Sequence, residues 1–362
     1  MNTHLSHCYV LATGGTGGHI FPAQALAAYI TEKGHRAVII SDIRFKNYPQ
    51  SGQYETHFID AASPSGNLVK KLKALVALSK GYLQAKKLLK ELKPKAVIGF
   101  GGYPSFPTLY AARSLGIKTI MHEQNAVLGR VNRFMIRRAH ALATSFPHVG
   151  RVPSIYRHKL VYTGNPTRTE ILSHKQAPLP SLNEEDTIQL LITGGSQGSS
   201  IFSTLIPAAI EQLPKEIRQR LHVTQQCRQG EIAETDAFYK RIEVNATLAP
   251  FFTNIPELLT LSHLFIGRSG ASTLAELTII GRPSLLIPLP HAMDDHQTAN
   301  ATYLAQSNAA WIMPQSDLTA ESLARLLAGI LSKPNILMDA AKQAAKLGEP
   351  LATQRLFELI AG

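Results

Sequence analysis

Cysteine is nearly absent from this chain: Cys8 and Cys227 are its only two in 362 residues. A disulfide framework is thereby excluded, and no cysteine stands at the spacing of a metal site. Also missing is any apolar run near the ~18 residues that a membrane-crossing helix needs. The opening segment, MNTHLSHCYVLATGG, has no basic stretch ahead of an apolar core. It does not read as a signal peptide, and the expected compartment is the cytoplasm. What is present is a folded composition, with 44% hydrophobic and 17% charged residues, which excludes general disorder. The length suits two domains of ordinary size better than one.

Acidic residues are scarce in one region above all. Residues 68–159 hold 18 Lys and Arg against only Glu91 and Glu123, a net +16. Residues 1–67 are neutral and residues 160–362 are slightly acidic, so the chain's +12 is concentrated in its first half. Such an excess asks for an anionic partner: nucleic acid, an acidic membrane surface or a phosphorylated substrate.

Short apolar runs alternate with helical stretches. Residues 7–13 (HCYVLAT), 37–41 (AVIIS), 96–100 (AVIGF) and 119–122 read as buried strands, and the first and third run into glycine turns. A helix is expected over 22–33, ended by Gly34. A polar, proline-bearing segment at 173–187 reads as a linker. The rhythm then restarts with strands at 188–193, 263–267 and 284–288. The glycine turns at 14 and 194 lie 180 residues apart, about one α/β domain. The pattern predicts two doubly wound, parallel-sheet α/β domains. Ligands of such sheets bind at the carboxyl ends of the strands, so the turns that follow strands form the candidate site.

G-G-T-G-G-H at 14–19 puts glycines where a backbone can approach a phosphate or simply reverse. His19 opens the following helix, where an imidazole serves as base, as phosphate donor or as a solvent-facing cap. The dinucleotide fingerprint fails, since Ile20 stands where its last glycine belongs, and no P-loop lysine follows. Gly101-Gly102-Tyr103 repeats the turn in the same domain. His122-Glu123-Gln124-Asn125 ends a strand with four hydrogen-bonding side chains, expected at the mouth of a cleft. It is not a zinc motif, because Ala126 replaces the second histidine of H-E-x-x-H. Arg168, in G-N-P-T-R, is a forked cation suited to phosphate.

In the second domain, G-G-S-Q-G at 194–198 offers Ser196 within a diphosphate cradle. R-S-G-A-S-T at 268–273 exposes helix N–H groups to an anion, and Glu276, one turn on, is an acceptor for ribose hydroxyls. Asp294, Asp295 and His296 have the composition of metal ligands, but their adjacent spacing points them apart, so no metal is expected.

Leu68, Leu72, Leu75, Val76, Tyr82, Leu83 and Leu89 fall near a helical period with lysines between them. Such a helix either packs on a core with its lysines solvated or lies on anionic lipid. The surrounding positive charge favours lipid, with Lys70, Lys71, Leu72, Lys73, Leu75 and Val76 as the contact.

G-G-T-G-G-H, G-G-Y-x-S, H-E-Q-N, G-N-P-x-R, G-G-S-Q-G, R-S-G-A-x-T-x-x-E and D-x-x-Q-x-x-N-A occur in that order and cover nearly the whole chain. Together they resemble the MurG family, the bacterial UDP-N-acetylglucosamine:lipid I N-acetylglucosaminyltransferases. The resemblance implies a glycosyltransferase B-type fold, two Rossmann-like domains across a cleft. Residues 1–166, with a C-terminal helix near 346–362, would form the acceptor and membrane-facing domain, and 167–345 the UDP-GlcNAc domain. Arg168, Ser196, Phe252, Ala271, Ser272, Thr273, Glu276 and Gln297 would contact the donor. Thr16, Gly17, Gly18 and Asn125 would approach sugar and acceptor, with Gly101, Gly102 and Tyr103 as the acceptor-side turn. His296 departs from the pattern, since some relatives carry a second glutamine beside Gln297.

The implied reaction is inverting and metal-independent and uses no cofactor. N-acetylglucosamine passes from UDP-GlcNAc to the C4 hydroxyl of the muramoyl sugar of lipid I, giving lipid II for peptidoglycan synthesis. His19 is the first candidate for the base and Glu123 the second. The implied location is peripheral, on the cytoplasmic face of the bacterial inner membrane. UDP-GlcNAc, undecaprenyl-linked lipid I and a cell-wall synthesis complex are the implied partners. The alternative is another lipid-directed glycosyltransferase of the same fold, such as a diacylglycerol glycosyltransferase, against which H-E-Q-N and D-x-x-Q weigh. Nucleic acid is not expected, since 68–95 interleaves its lysines with a single aromatic, Tyr82.

Overall fold

The computed structural model describes residues 6–48, 51–63, 67–183, 185–195 and 198–362. They form two compact units: residues up to Arg168 together with Glu349–Gly362, and Thr169–Gly348. The chain thus passes between units at 168/169 and 348/349, where the sequence suggested 166/167 and 345/346.

The first unit is built on a seven-stranded sheet of β1 (Cys8–Ala12), β2 (Arg36–Ser41), β3 (Glu55–Phe58), β4 (Ala96–Gly99), β5 (Lys118–Glu123), β6 (Ala141–Thr144) and β7 (Leu160–Tyr162). Their order is β3-β2-β1-β4-β5-β6-β7, and the pairings are parallel. Parallel strands covered on both faces bury every position, so they read as unbroken apolar runs. Val10, Val38, Ile40, Val97 and Met121 feed one core, and Tyr9, Leu11, Ile39, Ile98 and Ile120 the other.

The first helix, Gly17–Glu32, begins five residues before the expected start at 22. Pro22 lies inside it, and Gly17, Gly18 and His19 form its first turn. The helix Leu68–Leu92 is capped by the Asn67 side chain, which accepts from Lys70 N at 3.0 Å. It buries a narrow stripe of Ala74, Gly81, Ala85 and Leu89. Gly81 is required there, because a Cβ would sit 1.9 Å from the carbonyl oxygen of Asp60. The last helix, Ala352–Ala361, adds Leu356 and Ile360 to the core around Tyr9 and Leu11.

The second unit carries β8 (Ile188–Thr193), β9 (Leu221–Gln226), β10 (Asn245–Ala249), β11 (Leu264–Gly267), β12 (Ser284–Leu286) and β13 (Ala310–Ile312). They pair in the parallel order β10-β9-β8-β11-β12-β13. Residues 173–187 are not a linker between the units. They are strapped to the second, Gln176 N donating to Ile279 O at 2.8 Å. The buried Arg282 fastens the strap, donating to the carbonyls of Ala177 at 2.9 Å and Pro178 at 3.0 Å. The same guanidinium donates to Leu259 O at 2.8 Å and Thr260 O at 2.7 Å. One cation thereby turns a period-less polar segment into part of a domain.

In each sheet the strand order reverses beside the first strand of the unit: between β1 and β4, and between β8 and β11. Loops diverge at such a point and leave a crevice at the strand ends. The glycine turns after β1, β4 and β8, and the R-S-G segment after β11, all follow these four strands.

Candidate active site

At the first switch point, two turns close on His19. Gly101 and Gly102 have φ of +85° and +71°, a region that glycine enters without strain. A Cβ on Gly101 would lie 3.3 Å from His19 Cε1, and one on Gly102 3.3 Å from His19 Cδ2. The turn can therefore lie flat against the imidazole. Thr13 Oγ1 donates to His19 O at 2.8 Å and fixes the backbone from the other side. Thr16 is the exposed N-cap residue, Gly17 is buried against Phe21, and Gly18 and Tyr103 are half-buried.

The H-E-Q-N segment faces inward, not toward a cleft mouth. His122, Glu123 and Gln124 are buried, and Asn125 alone is half-buried. Glu123 accepts from Asn125 N at 3.1 Å and Asn125 Nδ2 at 3.4 Å through one oxygen. Its other oxygen accepts from Gly129 N at 2.9 Å and Asn132 Nδ2 at 2.9 Å. With four donors on a carboxylate 2% exposed, Glu123 organises the loop that follows β5 and is not set to take a proton from a substrate.

His122 Nε2 lies 3.1 Å from Gly164 O, and Gln124 Nε2 2.9 Å from His122 Nδ1. Burial drives the His122 pKa down to about 4, so its ring is neutral near neutral pH. Gln124 Oε1 in turn lies 2.9 Å from His19 Nδ1. Arg168 is the last residue of the first unit, where the range implied by the resemblance put it in the second, and its guanidinium lies 5.4 Å from the Phe21 ring centroid.

In the second unit, Gly194 N donates to Gln226 Oε1 at 3.2 Å at the start of the G-G-S-Q-G turn. Ser196 lies outside the described residues. Ala271, Ser272 and Thr273 are the first turn of the helix Ala271–Ile280, behind the N-cap Gly270. That turn holds no acidic residue, so its N–H groups and the helix dipole favour an anion. Glu276 is half-buried in the next turn, and Phe252 is half-buried between β10 and the helix Ile255–Leu261.

Two side chains that the sequence left without a role brace these loops. Arg268 donates to Ile287 O at 3.0 Å, Pro288 O at 3.2 Å, Ser199 Oγ at 2.9 Å and Gln315 Oε1 at 2.7 Å. It therefore ties the turns after β8, β11, β12 and β13, and burial lowers its pKa. Ser269 Oγ donates to Gln297 O at 2.8 Å. Leu289 N donates to Gln297 Oε1 at 3.0 Å, which commits that oxygen. His296 turns away to Met293 O at 2.8 Å. An arginine directly at the end of an apolar strand was the available signal for Arg268. Among the described residues, no three His, Cys, Asp or Glu side chains are grouped to hold a metal.

On the first unit, the opening turns of the helix Leu68–Leu92 direct their large aliphatics outward. Leu68 is 82% exposed, Leu72 63%, Leu75 59% and Val76 51%, beside the exposed Lys70, Lys71 and Lys73. An aromatic ladder continues this surface, Tyr82–Tyr110, Tyr110–Phe106 and Phe106–Phe134 each having centroids 5.7 Å apart. Arg137 and Arg138 lie over Phe134 at 5.4 and 5.5 Å. No helix among the described residues is long and apolar enough to cross a membrane.

Comparison with known proteins agrees with this geometry. The N-terminal domain of glycosyltransferase family 28 matches residues 9–144, and the C-terminal domain of that family matches 189–356. The UDP-N-acetylglucosamine–N-acetylmuramyl-(pentapeptide) pyrophosphoryl-undecaprenol N-acetylglucosamine transferase of Rhodospirillum centenum is 47% identical, over 98% of this chain and 93% of its own. The Brucella abortus protein of the same name is 42% identical over 97% of this chain and 92% of its own. Among solved structures, Acinetobacter baumannii MurG matches with a TM-score of 0.81 at 31% identity, over 99% of both chains. A glycotransferase of kitacinnamycin, at 15% identity and a TM-score of 0.72, shares the fold alone.

Proposed function

The chain belongs to glycosyltransferase family 28, among the pyrophosphoryl-undecaprenol N-acetylglucosamine transferases, and from that membership we infer how its residues divide the reaction. The enzyme transfers N-acetylglucosamine from UDP-GlcNAc to lipid I, giving lipid II. The second unit is the donor unit. The N-terminus of the helix Ala271–Ile280 receives the diphosphate through Ala271, Ser272 and Thr273, Glu276 accepts from the ribose hydroxyls, and Gln297 donates to the GlcNAc. Phe252 offers its backbone to uracil. Arg168 and Ser196 supply further charge and hydrogen bonds for the donor phosphates and sugar.

The first unit receives the acceptor. Thr16, Gly17, Gly18, Asn125 and the turn of Gly101, Gly102 and Tyr103 border the acceptor site, and His19 is the base. The acceptor's C4 oxygen forms a bond to the anomeric carbon as the bond from that carbon to the UDP oxygen breaks, so the configuration inverts. The hydroxyl proton passes to His19, and the electron pair leaves with UDP. Helix N–H groups oriented beforehand stabilise the charge that develops on UDP without a metal ion. The observation that carries this reading is the gathering of the glycine turns at the strand-order reversal of each sheet.

The apolar and basic face at the start of the helix Leu68–Leu92 is the membrane contact. A core-packing helix would turn its leucines inward and its small residues out. The first turns of this one do the reverse, with Lys70, Lys71 and Lys73 among exposed Leu72, Leu75 and Val76. That arrangement supports peripheral docking on the anionic cytoplasmic face of the inner membrane, where the lipid-linked acceptor resides.

Incubation with labelled UDP-GlcNAc and a lipid I analogue in the presence of a chelator tests the assignment. Labelled lipid II is expected. Transfer only from UDP-galactose, only to diacylglycerol, or only after divalent metal is added would overturn it.

A further inference from the structure

We propose that His122 and Gln124 are positioning residues that fix the tautomer of His19, so that its lone pair sits on Nε2. The inference deepens the reading of His19 as the base and rests on it for its functional meaning. The tautomer itself follows from geometry.

The argument starts at Gly164, whose carbonyl oxygen can only accept. It lies 3.1 Å from His122 Nε2, so that nitrogen carries the proton. His122 is wholly buried and its ring is neutral near neutral pH, so its Nδ1 is a lone pair. The Gln124 group 2.9 Å from that lone pair must then be the amide NH2, and the same nitrogen lies 3.3 Å from the carbonyl of His122. The amide orientation is thereby forced, and its oxygen faces His19 Nδ1 at 2.9 Å. An acceptor at Nδ1 requires a proton there, and a neutral imidazole carries only one.

A free histidine prefers the opposite tautomer, with its proton on Nε2. The chain of bonds from Gly164 through His122 and Gln124 reverses that preference. When Nε2 takes the hydroxyl proton, Nδ1–H keeps donating to Gln124 and no bond in the chain has to turn round. The Gly101–Gly102 turn lies against the same ring and holds its plane.

Nitrogen-15 NMR of histidine-labelled free protein near neutral pH reads the tautomer directly, with the His19 signals assigned by their loss in His19→Gln. The wild type should show a protonated Nδ1 and an unprotonated Nε2. In Gln124→Leu the proton should shift toward Nε2, and kcat should fall roughly tenfold to hundredfold with little change in the KM for UDP-GlcNAc. A wild-type His19 protonated on Nε2 would overturn the proposal, as would an unchanged tautomer in Gln124→Leu. If Gln124→Leu does not fold, the wild-type spectrum alone decides. The base reading fails separately: a His19→Ala enzyme with near-normal turnover would remove the base while leaving the tautomer assignment standing.

Discussion

Asn132 Nδ2 donates to Glu123 Oε2 at 2.9 Å, and this bond closes a buried bracket around the loop that follows β5. Replacing the carboxylate with an amide sets an NH2 group against N–H donors. Glu123→Gln should therefore cost about 3 kcal/mol of stability, the usual penalty for spoiling a buried, hydrogen-bonded charge. Urea denaturation measures it. A variant as stable as the parent would return Glu123 to the list of candidate bases.

His122 ties stability to pH. Its folded-state pKa of about 4 lies below the ordinary value of 6.5, so between these values the unfolded chain binds a proton that the native chain refuses. Stability should fall as pH drops from about 6.5 to about 4, by roughly 3 kcal/mol from this residue, and the contribution should level off below. The His122→Asn variant should show a correspondingly flatter profile. An NMR titration that finds His122 protonated at pH 6 would contradict this.

Binding to anionic vesicles should weaken when Lys70, Lys71 and Lys73 are all changed to Gln. At about 1 kcal/mol per lysine the loss is ~100-fold at low ionic strength, and it shrinks as salt rises. Leu72→Ser with Leu75→Ser should weaken binding at high salt as well, because apolar insertion is not screened. Vesicle flotation across a salt series separates the two terms, and unchanged binding in both variants would leave this face without a partner.

Glu276→Ala should raise the KM for UDP-GlcNAc by 10- to 100-fold, from about 1.5–3 kcal/mol for hydrogen bonds to a charged acceptor. Turnover at saturating donor should change little, since the ribose lies away from the reacting carbon. Competition by UDP alone provides a second reading, and UDP affinity equal to the parent's would exclude the ribose role.

Arg282→Met should free residues 173–187 from the second unit. The substitution strips a shared donor from the carbonyls of Ala177, Pro178, Leu259 and Thr260. Limited proteolysis should then cut first within 173–187, before the sheet opens. Cleavage that begins elsewhere would show that other contacts hold the strap.

Much of this fold is legible in the residues. β1, β2, β4, β8, β11 and β12 are buried parallel strands that betray themselves by apolar runs, and β5 (KTIMHE) by its apolar centre between polar ends. The strands that escaped are short or mixed: β7 and β13 are three residues and β6 four, β9 (LHVTQQ) is half polar, and β3 (ETHF) and β10 (NATLA) lie at sheet edges with polar positions. The glycine turns were legible because a glycine pair directly after a strand has few other uses. The inward orientation of H-E-Q-N was not. His122 and Glu123 sit on opposite faces of β5, and in a sheet covered on both sides neither alternation nor polarity tells which one meets solvent. Arg268 and Arg282 escaped for a related reason: a lone arginine in sequence looks like a surface cation, and only the fold supplies the carbonyls that draw it inside.

The helix Ala352–Ala361 completes a core whose other members lie near the start of the chain, Tyr9 and Leu11 among them. On the ribosome the order of closure is therefore inverted. The half whose residues emerge first must wait for this helix, which follows the intervening half in the chain, while the intervening half already has everything it needs. Until then Tyr9, Leu11 and the helix Gly17–Glu32 lack part of their apolar cover.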